Sequence, residues 1–131
     1  MPAVPKVKPG DKTRTEQKRE KRAQEALEMR ECYRKVDDRE NMRCRITRAP
    51  VNPHALSATE RGEHHHVNYR STGGGHTVEN VILISRHVHE QIHAGRLRVS
   101  GDAEERDDLG RLVGIVVERL TAEGWKHWKC C

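Results

Sequence analysis

The sequence predicts an α+β fold in which a charged N-terminal helix precedes a β-hairpin, a second helix and a small C-terminal β-hairpin. Three stretches carry this prediction. The run "VILIS" at 81–85 is rich in β-branched residues and has the length of one strand. The stretch "SRHVHEQIHAG" has a helix start and stop signal, and "GIVVERLTAEGW" is again rich in Val, Leu and Ile.

The length of 131 residues suffices for one domain with appendages, since compact domains usually need about 100 to 150 residues. Hydrophobic residues make up 34% of the chain and phenylalanine is absent, so the core must consist mainly of Val, Ile and Leu. So small a core favours support from a bound metal or a partner. The predicted units are a basic disordered arm leading into a charged helix (1–31), a central domain (32–101) and a C-terminal hairpin extension with a tail (102–131).

Positive charge is concentrated in the first 22 residues, which carry eight Lys or Arg against three Asp or Glu. This excess equals the formal net charge of the whole chain, +5, so the remainder is balanced. A basic arm on a neutral body indicates a polyanionic partner, because Lys and Arg near a nucleic-acid backbone release condensed counterions. The alternative is a solvated tail that only improves solubility.

Targeting signals and cysteines indicate the compartment. No apolar run approaches the roughly 20 residues of a membrane span, and the N-terminus lacks the apolar stretch of a signal peptide. We therefore expect a soluble, cytoplasmic protein without a membrane partner. In that compartment Cys32, Cys44, Cys130 and Cys131 are expected as reduced thiols.

The first third of the chain predicts an arm followed by a helix. Residues 1–12 are polar and broken by prolines, so we expect them to be disordered. With Thr13 or Thr15 as N-cap, "TEQKREKRAQEALEMRECYRKV" predicts a charged helix with a thin apolar stripe. Such a helix needs the domain, DNA or a second copy to pack on. The prolines and glycine of residues 45–62 predict irregular loop.

The central segment predicts two strands followed by a helix. His65–Tyr69 and Val81–Ser85 flank a triple-glycine loop, which is typical of a β-hairpin with a long turn. The next helix is expected to begin after Ser85 as its N-cap and to end at Gly95.

The C-terminal segment predicts a second, smaller hairpin. Its strands are "RLRVSGD" and "GIVVERLTAEGW", joined by an acidic connection. A helix over 102–123 fits the same residues similarly well, but Gly110 and Gly114 favour strands. We derive no role for the final "GWKHWKCC".

Eight of the nine histidines fall between His54 and His93. His89 and His93 stand at i and i+4 of the predicted helix, about 5 to 6 Å apart at Cβ. That spacing suits two ligands of one divalent cation, although two surface histidines also occur at this spacing by chance.

The adjacent pair His65 and His66 offers a further metal ligand and a general base. Neighbouring strand residues point to opposite faces, so one imidazole can face the helix and join a metal while the other serves as a general base. Asn80 starts the second strand, where its amide can bond the backbone of the neighbouring loop. The alternative for Asn80 is an ordinary turn residue.

Together the stretches "HHV", "STGGGH", "ENVILIS" and "HEQIH" resemble the HNH nuclease family. The catalytic unit of that family, the ββα-metal or His-Me finger, is a β-hairpin and a helix around one divalent metal. The resemblance covers roughly residues 32–101, and the combination is more specific than any one part. It implies metal ligands at His65, His89 and His93, a general base at His66, and an asparagine at Asn80 that braces the hairpin so that the base is aimed.

The triple histidine leaves a question of register. His64 could replace His65, but the family's pair is followed directly by an apolar residue, here Val67. His64 is then a phosphate contact or a bystander. We expect DNA backbone contacts at His64, Arg70 and Arg86, which would position the nucleic acid without reading its sequence.

The sequence departs from the family at its zinc knuckles. Many HNH proteins carry two Cys-x-x-Cys knuckles that hold a structural zinc. The corresponding positions here are Cys44 with Thr47 and Ser85 with Val88, so only one cysteine remains. Structural zinc needs four protein ligands, and we therefore expect no second, structural zinc. Packing must replace it.

The resemblance implies a metal-dependent DNA endonuclease that uses one divalent cation (Mg²⁺, Mn²⁺, Ni²⁺ or Zn²⁺) and leaves 3′-hydroxyl and 5′-phosphate ends. Expected partners are DNA and, by association with similar small proteins, other DNA-processing proteins of phage or mobile elements. One alternative is a non-catalytic DNA-binding module in which the same histidines hold a structural metal. Another is an interaction protein assembled through the charged helix, with a decayed nuclease unit.

Overall fold

The computed structural model describes residues 10–52, 55–57, 61–68 and 74–131. Within these residues the chain forms two helices and two small antiparallel sheets, so the predicted α+β class is confirmed. The elements in chain order are α1 (Arg14–Glu40), β1 (Gly62–His66), β2 (Val81–Ser85), α2 (Arg86–His93), β3 (Leu97–Gly101), β4 (Ile115–Thr121) and β5 (Gly124–Cys130).

Helix α1 begins with a capping box at Thr13, the first of the two predicted N-caps. The Thr13 hydroxyl accepts from the Glu16 amide, and the Glu16 side chain accepts from the Thr13 amide. The helix ends at Asn41, whose φ of 54° is left-handed. Only its C-terminal half is buried, against β2, while the first three turns are exposed. The helix crosses the predicted boundary at residue 31 without a break, and residues 1–9 of the predicted arm lie outside the described residues.

The first hairpin pairs β1 with β2 in antiparallel register, from Gly62 opposite Ser85 to His66 opposite Val81. The strand bounds predicted for β2 are confirmed, but those for β1 are wrong. β1 ends at His66 instead of starting at His65, because all five residues of the buried β2 pair with the polar segment "GEHHH". Tyr69, at the end of the predicted strand, lies outside the described residues.

Helix α2 begins and ends where the sequence predicts. The Ser85 hydroxyl accepts from the Val88 amide at 3.3 Å and caps the first turn. Gly95 follows the helix with a φ of 73°, a conformation that favours glycine. Val88 and Ile92 are buried one turn apart, so this face packs on the hairpin and on β3.

The C-terminal sheet is larger than the predicted hairpin. β3 and β4 form that hairpin, and the alternative helix over 102–123 is wrong. A third strand, β5, pairs along β4 and includes most of the segment predicted as a tail. The sheet also spans the predicted boundary at residue 101, because β3 precedes it and β4 follows it.

Buried charges join the end of α1 to the rest of the molecule. We call Arg39, Glu40 and Arg45 the ion cluster. The Glu40 carboxylate accepts from Arg39 Nε at 3.0 Å and from Arg45 Nη1 at 3.0 and 3.1 Å. The side chains of Glu40 and Arg45 have no exposed area, and that of Arg39 is 6% exposed. Three charges are therefore held away from water and must be compensated locally.

The two guanidinium groups of the ion cluster also bind four backbone carbonyls. Arg39 donates to carbonyls at the start of β2, and Arg45 donates to carbonyls beyond β3 and at the end of β5. The acceptors are Val78 (2.5 Å) and Val81 (2.7 Å) for Arg39, and Ala103 (2.9 Å) and Cys131 (3.2 Å) for Arg45. These bonds tie α1, the first hairpin and the C-terminal sheet together.

Within the part of the chain that the structure describes, neither helix has the length and apolar character needed to cross a membrane.

Candidate functional site

The two faces of β1 carry different sets of histidines. Because side chains alternate along a strand, Glu63 and His65 lie on the face towards α2, and His64 and His66 lie on the face towards α1. We call Glu63, His65, His89 and His93 the α2-side cluster. We call Tyr33, Asp37, His64, His66 and His76 the α1-side cluster.

In the α2-side cluster, three imidazoles from a strand and a helix lie close together. The ring centroids of His65 and His89 are 6.0 Å apart, and those of His89 and His93 are 4.3 Å apart. Nε2 of His89 and Nε2 of His93 face each other at 2.6 Å. The three histidines predicted as metal ligands are therefore neighbours, brought together by the packing of α2 on the hairpin.

A carboxylate that the sequence did not single out completes this cluster. Glu63 contacts Nδ1 of His89, and both side chains are partly exposed. A carboxylate at Nδ1 keeps that nitrogen protonated and leaves Nε2 with its lone pair, which is the usual arrangement around metal-binding histidines. Strand alternation is the signal that could have found Glu63, because it lies two residues before His65.

His65 is the buried member, with 5% of its surface exposed. Burial, and then the neighbouring His89, His93 and His66, lower its pKa to about 4. Its ring is therefore neutral at physiological pH, which is the protonation state in which an imidazole can ligate a metal.

The residue types in the α2-side cluster fit a divalent cation such as Zn²⁺, Ni²⁺ or Mn²⁺. As placed, however, no three His, Cys, Asp or Glu side chains among the described residues are arranged to hold an ion together. Two nitrogens that bind one tetrahedral ion at about 2.0 to 2.1 Å lie roughly 3.3 Å apart, so His89 and His93 would have to separate slightly from their 2.6 Å contact. Metal ligation by these three residues stays a prediction.

In the α1-side cluster, His64 is held between α1 and β1. Its Nε2 lies 2.6 Å from Oδ1 of Asp37, and its ring stacks on Tyr33 with centroids 3.9 Å apart. The side chain is 13% exposed. His64, predicted as a phosphate contact or a bystander, thus has a carboxylate as its immediate neighbour.

His66, the predicted general base, ends β1 on this same face. Its Nε2 lies 2.9 Å from Nδ1 of His76, and the two ring centroids are 5.0 Å apart. If His66 donates in this contact, its Nδ1 keeps a lone pair that can accept a proton. His76 is a partner that sequence reasoning missed, because ten residues and the glycine loop separate it from His66.

Asn80 clamps the two ends of the hairpin loop. Its Oδ1 accepts from the Asn68 amide at 2.8 Å, and its Nδ2 donates to the carbonyls of Asn68 at 3.1 Å and Gly75 at 3.0 Å. A Cβ at Gly74 would overlap the Asn68 carbonyl oxygen, so the loop closes tightly against itself. The buried amide therefore fixes the backbone that immediately follows His66.

The other predicted positions lie around this centre. Arg86 is exposed at the start of α2 and pairs with Glu90 at 3.0 Å, whereas Arg70 lies outside the described residues. At the positions compared with a zinc knuckle, the Cys44 sulfur accepts from the Thr47 amide at 3.4 Å, and the Ser85 hydroxyl caps α2.

Comparison of the chain with protein-family models, with curated proteins and with solved structures gives no match. The functional assignment therefore depends on the residues of the two clusters.

Proposed function

We propose that this protein is a metal-dependent DNA endonuclease of the HNH type, which hydrolyses phosphodiester bonds with a histidine-activated water. The observation that carries the proposal is the meeting of His65 from the hairpin with His89 and His93 from the following helix. This strand, strand, helix order with three neighbouring imidazoles is the arrangement expected of a ββα-metal unit.

The α2-side cluster is the proposed cation site. His65, His89 and His93 would hold the ion, and Glu63 would orient His89 from behind. A bound divalent cation would neutralise charge on the phosphate and stabilise the leaving oxygen. Three protein ligands leave a position open for a phosphate oxygen, as catalytic sites require.

His66 is the proposed general base. It would accept a proton at Nδ1 from the attacking water while its Nε2 donates to His76. Asn80 would aim the base, because its three hydrogen bonds fix the backbone directly after β1. His66 follows His65 directly at the end of β1, so a phosphate bound at that end would lie close to both residues.

The N-terminal half of α1 supports DNA as the substrate. Arg14 precedes the buried Cys32 by about five helical turns, and Lys18 precedes the buried Val36 by the same distance. Both basic residues therefore lie on the helix face that is buried further along. Lys21 lies on that face as well. The face that packs on the domain thus continues as an exposed row of positive charges, which suits contact with DNA phosphates beside the hairpin.

Glu63 also favours a second candidate, a non-catalytic DNA-binding module. Its carboxylate is a fourth donor next to His89, and four protein ligands would close the coordination sphere. X-ray absorption spectroscopy of the protein loaded with Zn²⁺ separates the two candidates. Three protein ligands with a water favour the nuclease, and a closed set of four favours the module.

The main test is cleavage of supercoiled plasmid in the presence of Mg²⁺, Mn²⁺, Ni²⁺ or Zn²⁺. We expect His66→Ala to lower the cleavage rate by about 10² to 10⁴. The matched control is His127→Ala, which removes an exposed histidine of β5 that belongs to neither cluster. Wild-type cleavage by a folded His66→Ala protein would remove the proposed base.

A further inference from the structure

A cavity of about 240 Å³ opens between the first hairpin, the end of α2 and the C-terminal sheet. Its lining includes His65 of the α2-side cluster and Trp125 of β5. Its walls are mainly apolar, with Val67, Ile92 and Val99 among them. One cavity therefore has in its lining both a residue of the proposed cation site and an aromatic ring from a different sheet.

Trp125 and Arg98, which both line the cavity, are in contact with each other. The Arg98 guanidinium carbon lies over the Trp125 ring, 4.4 Å from its centroid. Arg98 also donates to both carboxylate oxygens of Glu118, at 2.9 and 3.1 Å. This bidentate pair balances the charge of Arg98 and holds its guanidinium plane in place, so the cavity wall includes an indole and a guanidinium in cation–π contact.

Indole rings and guanidinium planes such as these bind unstacked nucleobases. Bases that have left a duplex or belong to a single strand stack on aromatic rings and on arginine guanidinium planes. Apolar walls favour contact with the ring of a base. The divalent cation proposed at His65 would bind the phosphate that is attached to that base. A base in the cavity would thus place its nucleotide's phosphate towards His65.

We propose that this cavity receives one unstacked nucleobase of the DNA strand that is cleaved, packed against Trp125 and Arg98. The inference rests on the proposed nuclease function and names its substrate class. Removing a base from the stack costs least where the nucleotide is unpaired, mismatched or single-stranded. The preferred substrate is therefore DNA with an unpaired nucleotide at the cleavage site, in preference to a perfect duplex.

A binding measurement tests the cavity without cleavage. The chain has two tryptophans, so Trp128→Phe leaves Trp125 as the only indole reporter. We expect deoxyadenosine 5′-monophosphate to quench this fluorescence, and deoxyribose 5-phosphate, which lacks the base, to leave it unchanged. Absence of quenching by the nucleotide, or equal quenching by both compounds, would overturn the inference.

Cleavage assays test the substrate class. Three DNA substrates of one sequence are compared: a perfect duplex, the duplex with one unpaired nucleotide, and the same unpaired position without a base. We expect the wild type to cleave at the unpaired nucleotide roughly tenfold faster than in the perfect duplex. Trp125→Ala should reduce cleavage at the unpaired nucleotide about 5- to 150-fold and remove the difference between substrates with and without the base.

The controls separate this inference from the proposed function. Trp128→Phe should keep the substrate preference, and Trp125→Leu provides a second variant if Trp125→Ala does not fold by circular dichroism. Cleavage without any preference for the unpaired nucleotide would overturn the base cavity and leave the nuclease standing. No cleavage with any cation, together with base-dependent quenching, would overturn the nuclease and retain a nucleotide site.

Discussion

The ion cluster and the α2-side cluster lie near the same hairpin, but their polar groups have different partners. The guanidinium groups of the ion cluster donate to Glu40, to Glu104 at 2.9 Å and to four backbone carbonyls, at the start of β2, beyond β3 and at the end of β5. The histidines of the α2-side cluster lie against one another and against Glu63, with His65 buried and the side chains of His89 and Glu63 partly exposed. In the first arrangement each charged side chain has an oppositely charged partner inside the fold. The second brings several imidazoles together at the edge of the fold, a grouping that is common at functional sites.

Breaking the ion cluster should have the largest effect on stability. Glu40→Ala leaves the buried Arg45 without its carboxylate and leaves Arg39 with Glu104 alone, so we expect the free energy of unfolding to fall by about 3–5 kcal/mol. Urea denaturation measures this. The control is Asp38→Ala on the same helix, which removes an exposed pair with Arg34 and should cost no more than about 0.5 kcal/mol. Similar losses in both variants would contradict a structural role for the cluster.

Loading the α2-side cluster should have the next largest effect. A cation at 100 times its dissociation constant adds about 2.7 kcal/mol to the free energy of unfolding, provided that it binds only the folded protein. Chelation should reverse this gain. We expect no gain in the double variant His89→Ala/His93→Ala, and an unchanged gain in His87→Ala, which alters the same helix outside the cluster. Equal stabilisation of the double variant would place the cation elsewhere.

A substitution at Glu63 tests the cation site through the carboxylate that contacts His89. Glu63→Gln replaces the carboxylate at Nδ1 of His89 with a weaker acceptor, so cation affinity should fall roughly 10- to 100-fold. Calorimetric titration of the protein with Zn²⁺ or Ni²⁺ measures the change. Glu90→Gln, which alters an exposed pair with Arg86, is the matched control and should bind the cation like the wild type. Unchanged affinity in Glu63→Gln would exclude an orienting role for this carboxylate.

The smallest expected effect concerns the cap of α2. Ser85→Ala removes the acceptor for the Val88 amide and should cost about 1 kcal/mol. Because this helix carries His89 and His93, hydrogen exchange of its amides should accelerate while that of α1 stays unchanged. Uniform acceleration in both helices would show that the cap supports the whole fold and not the α2-side cluster alone.

Local signals explain what the sequence could predict. β2 and α2 are continuous in sequence and carry their own start and stop residues, Ser85 and Gly95, so both were predicted with their bounds. The spacing of His89 and His93 likewise follows from helix geometry alone. These features depend on residues within a few positions of one another, where backbone preferences decide the structure.

Features that depend on distant pairing could not be predicted in the same way. β1 and β5 are polar segments with no regular alternation of apolar residues, and they become strands because buried neighbours offer them backbone partners. Glu63, Asp37 and His76 acquire their histidine partners only when the strand register is known. The buried charges of Arg39 and Arg45 are hidden for the same reason, since composition alone places such residues at the surface.

Helix α1 has no break over its 27 residues, which gives it a length of roughly 40 Å. Its C-terminal end is anchored by the ion cluster, and its N-terminal turns project beyond the domain. The positive side chains of those turns consequently keep a set distance and direction from the hairpin, unlike charges on a flexible tether. If the proposed DNA substrate binds along these turns, the helix would hold it in one orientation and would set the distance between the bound phosphates and the histidines.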